Sequence, residues 1–429
     1  MTLLSRLLAW PGSLFYGWRI VAFAVIANFM GAGIYTYGFA VFFLPITRDL
    51  ELTRAQTSLI YSLSQAEAAV GGPPAGWVTD RFGPRKVLFW ATVLVSSGYF
   101  ILAQVRSYEL FLVVYLGLVS IAHNGGYGYA VQASVNSWFI KRRALAFSIA
   151  LAAFTGSGAV AAPLFGWLST EYGWRTALVV AAVGLAVVML PVSQGFVRTP
   201  ESMGLLPDGE PPTAADGTAR KASTLNEFTV RQALRTAAFW HLTIATTLRL
   251  AVINVVNVHF VPIMVWKGMT ETDAAIALGG MSLLGIPLRI TLGWLGDKTG
   301  SKNGIIAAGM LLGTVGILGL QMATEAWHLW GFVIIFACMQ SVIPLNWTLI
   351  GDYFGRKSYA TLRGFMAMVY TGGIMAMPVI AGAVYDNIES YAPVVWALAG
   401  SMFASGIWFG LLRPPLPPQP ALTGEVVAG

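Results

Sequence analysis

Three charged residues stand inside apolar runs of this 429-residue chain: Glu67, Arg249 and Arg289. A carboxyl group in such surroundings can take up and release a proton, and a guanidinium can hold a carboxylate through two parallel hydrogen bonds. The three charges sum to +1, so a single carboxylate would balance them, and an anionic ligand is the simplest inference. Each has a structural alternative. Arg289 could snorkel towards the headgroups, Arg249 and Glu67 could form an inert buried pair, and Glu67 could stay protonated and hydrogen-bonded. The four histidines (123, 241, 259 and 328) show no HxxxH or Cys/His spacing, so no metal site is expected. No GxxxxGK[ST], GxSxG or HExxH motif occurs, so neither ATP nor an enzyme's nucleophile or metal is called for, and no cofactor is expected.

The elements that must position these residues are membrane helices. The chain is 56% hydrophobic and 10% charged, whereas soluble domains carry about 25% charged residues. Apolar segments of twenty or more residues fall near 17–44, 53–77, 86–104, 108–137, 144–169, 173–195, 237–265, 271–295, 303–323, 327–350, 359–385 and 391–412. Each can cross about 30 Å of hydrocarbon as a helix. An all-α polytopic membrane protein with twelve transmembrane helices follows. The first segment is too long for a signal-peptide core and is expected to remain as a span. Cys338 is the single cysteine, so no internal disulfide can form. With the N-terminus inside, 19 of the 26 Lys and Arg residues lie in cytoplasmic segments and five on the opposite side; Arg249 and Arg289 remain, 26 − 19 − 5 = 2. The net charge of +7 therefore reflects the positive-inside rule rather than nucleic-acid binding, and both termini are expected in the cytoplasm of a cell inner (plasma) membrane protein.

On that frame Glu67, thirteen residues before Asp80, lies about 20 Å from the cytoplasmic end of its span; Arg249 lies about 18 Å deep and Arg289 about 12 Å. A charge at such depth costs about 2.5–3.5 kcal/mol on insertion scales, so each is a functional candidate.

The chain also repeats itself. GWVTDRFGPRK from Gly76 and GWLGDKTGSKN from Gly293 are 293 − 76 = 217 residues apart, and WFIKR from Trp138 matches YFGRK from Tyr353 at an offset of 215. Two repeats in nearly one register point to an internal duplication. The break between the copies holds PDGEPPTAADGTARKAS, a linker with no apolar period. Thr224 and Glu227 there have capping-box spacing, which predicts an amphipathic helix leading into the seventh span. The expected units are residues 1–195, a cytoplasmic linker 196–236, a second bundle 237–413 and a tail 414–429. In the repeated loop, Gly76 and Gly293 permit close helix approach. Asp80 and Asp297 can meet a helix N-terminus of the opposite half. Arg81, Arg85, Lys86 and Lys298 offer partners to those carboxylates and to lipid phosphates, and Gly83 fits a tight turn. Such a clasp can hold in one conformation and break in another.

This two-times-six plan with GxxxDRxGxRK resembles the major facilitator superfamily over essentially the whole chain. FYGWRIV before the first span, WFIKRRALAFSIALAAFTGSG around the fifth and RTPESMGLLPDG after the sixth resemble its monocarboxylate and oxalate/formate transporter group. The resemblance implies that Arg289, in IPLRITLGWLGDK, binds a substrate carboxylate. Tyr37 and Gly285 stand where proton-coupled members carry a lysine and an aspartate, so Glu67 and Arg249 are what this chain offers for coupling. It further implies that spans one, four, seven and ten line a central cavity. There the polar residues are Asn28, Tyr35, Tyr37, His123, Asn124, Tyr127, Asn254, Asn257, His259, Gln340 and Asn346, each of which could instead bond between helices. The expected function is a monomeric secondary carrier of a small organic anion, a monocarboxylate first, with or without a proton. An oxalate/formate-type exchanger and a non-transporting receptor are the alternatives.

Overall fold

The computed structural model describes residues 15–52, 54–209 and 227–416, and the described residues are helical throughout the apolar segments. The spans are α1 (16–49), α2 (Arg54–Phe82), α3 (Pro84–Leu102), α4 (Tyr108–Trp138), α5 (143–172), α6 (174–194), α7 (237–266), α8 (Glu271–Thr299), α9 (Lys302–Met322), α10 (Ala326–Phe354), α11 (Tyr359–Ile388) and α12 (Ala392–Leu411). Among the described residues, ten helical stretches are long and apolar enough to cross a membrane. One of them, Arg143–Gln194, is broken at Gly173 into two spans, and α2 is long enough but too polar to be counted; 10 + 1 + 1 gives twelve. The chain is an integral membrane protein of two six-helix bundles.

Gly83 and Gly300, 217 residues apart, both have positive φ (83° and 67°) and turn the chain from α2 into α3 and from α8 into α9. Only glycine adopts that backbone without strain, which explains the second glycine of the repeated motif. The bundles meet where α2 packs along α11 and α5 along α8. Gly72 lies against Gly364, Gly76 against the Ala360 carbonyl, and Gly293 against Ala144 and Ser148; a Cβ at any of these glycines would collide. Small residues are needed because backbones this close leave no room for side chains.

Two spans are locally unwound to wider, π-helical turns: α1 at Gly33–Gly38 and α4 at Tyr115–Ser120 and His123–Ala130. Such turns displace side chains from the 3.6-residue register and often mark functional sites. Here they carry Tyr35, Tyr37, His123, Asn124 and Tyr127.

The linker differs from expectation. Thr224 lies outside the described residues, and Glu227 does not open a helix. The capping box is formed by Thr229 and Gln232, and the helix it opens is only Val230–Leu234. Glu227 instead accepts the backbone N–H groups of Arg356 and Lys357 at 2.9–3.2 Å. Asp208 does the same at the matching loop of the first half, accepting from Ile140, Lys141 and Arg142 at 2.8–3.1 Å. Free loop amides outcompeted the local cap because each carboxylate satisfies two or three of them at once.

Candidate functional site

A cavity of about 750 Å³ lies between the bundles, lined from α1, α2, α4, α5, α7, α8, α10 and α11. It brings together Asn28, Tyr35, Tyr37, His123, Asn124, Tyr127, Asn257 and Arg289 from the expected set. The π-helical turns aim the aromatic members: His123 stacks on Tyr35 at 3.9 Å between ring centres and on Tyr127 at 5.5 Å. Tyr127 shares a 2.8 Å hydrogen bond with Thr92. Asn28 donates to the Ala150 carbonyl (2.8 Å), and Gln340 donates to Asn257 (2.9 Å). These bonds fix the amide groups along the wall.

Arg289 projects from α8 across the bundle interface and donates through Nη1 to Thr155 of α5 at 2.6 Å. Its Nε is buried without a partner among the described residues. Tyr37 packs on Gly158 opposite, and the space exists because residue 158 has no Cβ. A second cation also lines the cavity. Arg363 of α11 lies between the rings of Tyr129 (5.0 Å) and Trp347 (4.9 Å) and donates to the Gly128 carbonyl at 2.7 Å. Four residues into α11, it reads in the sequence as one more cytoplasmic loop charge, and only the fold turns it inward. Among the described residues, the lining holds two arginines and no carboxylate. Its field is therefore positive.

Four expectations need correction. Arg249 does not line the cavity; it is fully buried, and its Nε, Nη1 and Nη2 have no acceptor among the described residues. It is not paired with Glu67. Glu67 lies near Ser120 of α4 and faces a separate apolar groove between α2, α3 and α4, while its Oε2 has no partner among the described residues. Depth in a span can be counted from sequence, but the direction a residue faces depends on how α2 and α7 are rotated against their neighbours. Ser120 accepts from Tyr35 and Asn124 at 3.2 Å, so one hydroxyl stands between Glu67 and the cavity wall. Asn254 is an interhelical tie, donating to the Ile374 carbonyl at 2.6 Å. His259 and Asn346 are also held between helices, by Pro378 and Tyr391 and by Thr246.

The fourth correction concerns the repeated loop. Asp80 accepts from the N–H groups of Ala360 (3.3 Å) and Thr361 (2.9 Å) and from the Thr361 hydroxyl (2.6 Å), all at the start of α11. Asp297 accepts from Ala144 (3.0 Å) and Leu145 (2.8 Å) at the start of α5. Each carboxylate thus sits on the positive end of a helix from the opposite bundle. The basic residues expected beside these carboxylates, Arg81, Arg85, Lys86 and Lys298, are not their partners. Arg85 bonds Gln194, Lys298 lies over the Trp294 ring, and neither Arg81 nor Lys86 has a bond to either carboxylate. In the second copy Lys302, the motif residue that matches Arg85, takes that role, at 3.5 Å from Asp297 and 2.9 Å from Asp352, with the fully buried Arg143 on the other oxygen of Asp352 at 2.6 Å. Asp352 and Arg143 are 209 residues apart, and neither stands in the repeated motif.

Among the described residues, the hydrogen bonds found between the bundles run from Arg289–Thr155 at the cavity to these clasps. On the other side of the cavity, Gly166 of α5 and Gly279 and Gly280 of α8 have open space where a Cβ would stand. The cavity is closed at the end that carries the basic loops.

Comparison with known proteins agrees with this architecture. The family model described as Major Facilitator Superfamily matches residues 21–377 and 260–428. Monocarboxylate transporter 13 of Bos taurus is 27% identical over 402 residues, 91% of this chain and 88% of that protein. Monocarboxylate transporter 11 of Homo sapiens is 25% identical, with 93% and 83% covered. YcxA of Bacillus subtilis (strain 168), an uncharacterised transporter of the same superfamily, is 21% identical, with 88% and 90% covered. Among solved structures, the transporter FucP in its outward conformation has a TM-score of 0.70 at 16% identity, covering 92% of this chain and 99% of that one.

Proposed function

Because the chain belongs to the major facilitator superfamily, a family of transporters, we propose that it carries a small organic anion, a monocarboxylate first, across the inner (plasma) membrane by alternating access. The observation that carries the proposal is the cavity lining, with Arg289 and Arg363 and no carboxylate among the described residues. A carboxylate entering it would meet Arg289, whose planar fork can bind both oxygens while Thr155 holds one edge of the group. The names of the curated relatives support the choice of monocarboxylates.

The basic loops put the clasped end in the cytoplasm, with both termini on that side. The clasped form would then be outward-facing. Release of Asp80 from α11 and of Asp297 from α5 would let the bundles rock and open the cavity inward. Glu67 is our candidate for proton coupling, supported by its place inside a span and near Ser120, whose hydroxyl accepts from the cavity-wall residues Tyr35 and Asn124. A second reading, exchange of dianions of the oxalate type, is favoured by the two arginines, since one monocarboxylate balances only one of them.

Uptake of radiolabelled lactate, pyruvate, formate and oxalate into proteoliposomes, with and without a proton gradient, tests both readings. Accumulation of one of these anions that depends on Arg289 is expected. No uptake of any organic anion by folded protein would overturn the proposal.

A further inference from the structure

Arg249 is the buried cation that the cavity does not use. Arg143, equally buried, has the Asp352 carboxylate, whereas Arg249 has no acceptor for any of its three nitrogens among the described residues. A desolvated, unpartnered guanidinium is retained against a strong penalty, so an anion is expected beside it in some state of the molecule.

The surroundings are built for one. Thr246, one turn before Arg249 on α7, donates to Oδ1 of Asn346 on α10 at 3.1 Å, which places Asn346 against the same face of α7. The Asn346 Nδ2 is also buried and without an acceptor. Tyr370 of α11 lies within electrostatic reach of both Arg249 and Arg363, and Gly373 brings α11 close to Thr247 and Ala251 of α7. Three helices therefore converge with donors and no carboxylate. Trp347, next to Asn346, packs against Tyr370 at 5.9 Å and lines the cavity on its other side.

We propose that Arg249, Asn346 and Tyr370 form a second anion site, separated from the cavity by Trp347, for a singly charged anion of halide or carboxylate-head size. One guanidinium balances one charge, and Arg363 is already committed to the Gly128 carbonyl and two rings. The ligand is either a free inorganic anion or the carboxylate of a transported substrate passing inward. The proposal rests on the anion-carrier reading for its class of ligand, but its test needs no transport.

Thermal unfolding of the purified full chain would be followed in sodium isethionate, whose bulkier sulfonate has no carboxylate head, with chloride or acetate replacing isethionate at constant ionic strength. Either probe should raise Tm saturably, by about 2–4 °C, in Arg289→Met, where the cavity arginine can no longer take the anion, and not in Arg289→Met/Arg249→Met. A shift with chloride alone assigns the site to an inorganic anion, with acetate alone to a substrate carboxylate, and with both to their shared chemistry. Arg289→Met showing no shift, or Arg289→Met/Arg249→Met keeping it, overturns the proposal. If Arg289→Met/Arg249→Met does not fold, Asn346→Leu in Arg289→Met decides: at least a threefold weaker apparent affinity supports the site, and unchanged affinity refutes it. Failure of the carrier reading would show separately, as absent uptake with the Tm shift intact.

Discussion

Replacing Asp80 by Asn should shift the protein away from the form closed at its basic end. The carboxylate takes three hydrogen bonds from the start of α11, two of them below 3.0 Å. Asparagine leaves one acceptor oxygen and turns an NH₂ group towards backbone donors, so at least one charge-assisted bond, worth about 1.5–3 kcal/mol, is lost. The interaction of the full charge with the helix N-terminus, about 0.3–1 kcal/mol, goes with it. Asp80 is only partly buried, so solvent recovers part of that sum, and a net loss of about 2 kcal/mol is reasonable. That corresponds to about a 30-fold fall in the ratio of basic-end-closed to basic-end-open protein. The lone cysteine, Cys338, is first changed to Ser, and Ser282 on the cavity wall to Cys. Labelling with a membrane-impermeant maleimide from the outer face then reports the closed form. The labelling rate, which follows the fraction of closed form, should drop in Asp80→Asn, and less in Thr361→Val, which removes only the hydroxyl donor and lowers the ratio about fivefold at 1 kcal/mol. An unchanged rate in folded Asp80→Asn would show that the carboxylate does not hold the two bundles together.

Arg289→Lys should weaken substrate binding at least tenfold, because an ammonium cannot reproduce the two-pronged contact; a titration giving wild-type affinity would remove Arg289 from the binding site. Glu67→Gln should abolish accumulation driven by a proton gradient while leaving substrate exchange intact, and pH-driven accumulation at the wild-type level would end the coupling role. Gly76→Leu places a side chain against the Ala360 carbonyl, so the Ser282→Cys reporter should label more slowly from outside than in the parent. Equal labelling would mean that the helices need not approach so closely.

The helical class, the span positions and the duplicated loops were legible because they depend on one-dimensional quantities: hydropathy, loop charge and a repeated spacing. The partners of Asp80 and Asp297 could be anticipated in kind, as helix N-termini, since a carboxylate close behind a span has few other positive groups to meet. The basic residues beside them misled because proximity in sequence favours a loop contact that the crossing of α2 with α11 overrides. Arg249 and Glu67 look like a pair when only depth is counted. Their separation depends on the direction each faces, which the packing of α2 and α7 sets; for the cavity residues of α1 and α4, the unwound turns at Gly33–Gly38 and His123–Ala130 also alter the register without a clear mark in the sequence. Arg363 was hidden by its place near the start of α11, where any arginine reads as positive-inside.

The same duplication explains why the cavity is charged on one side. Subtracting the repeat offsets, Arg289 corresponds to 289 − 217 = 72 and Arg363 to 363 − 215 = 148, which are Gly72 and Ser148. Gly72 is the residue that lets α2 touch Gly364 of α11, and Ser148 lies against Gly293 of α8. At both positions one half has a small residue that lets the bundles close, and the other has a long cation that lines the cavity. The two needs conflict in a single helix, because an arginine at position 72 would hold α2 and α11 apart. Two copies remove the conflict: packing is kept where the bundles must meet, and charge is placed on the partner that faces open space. Gly72→Arg is therefore expected to prevent closure at the basic end rather than to add a third binding cation. The maleimide assay separates these outcomes, since only loss of closure slows labelling from outside.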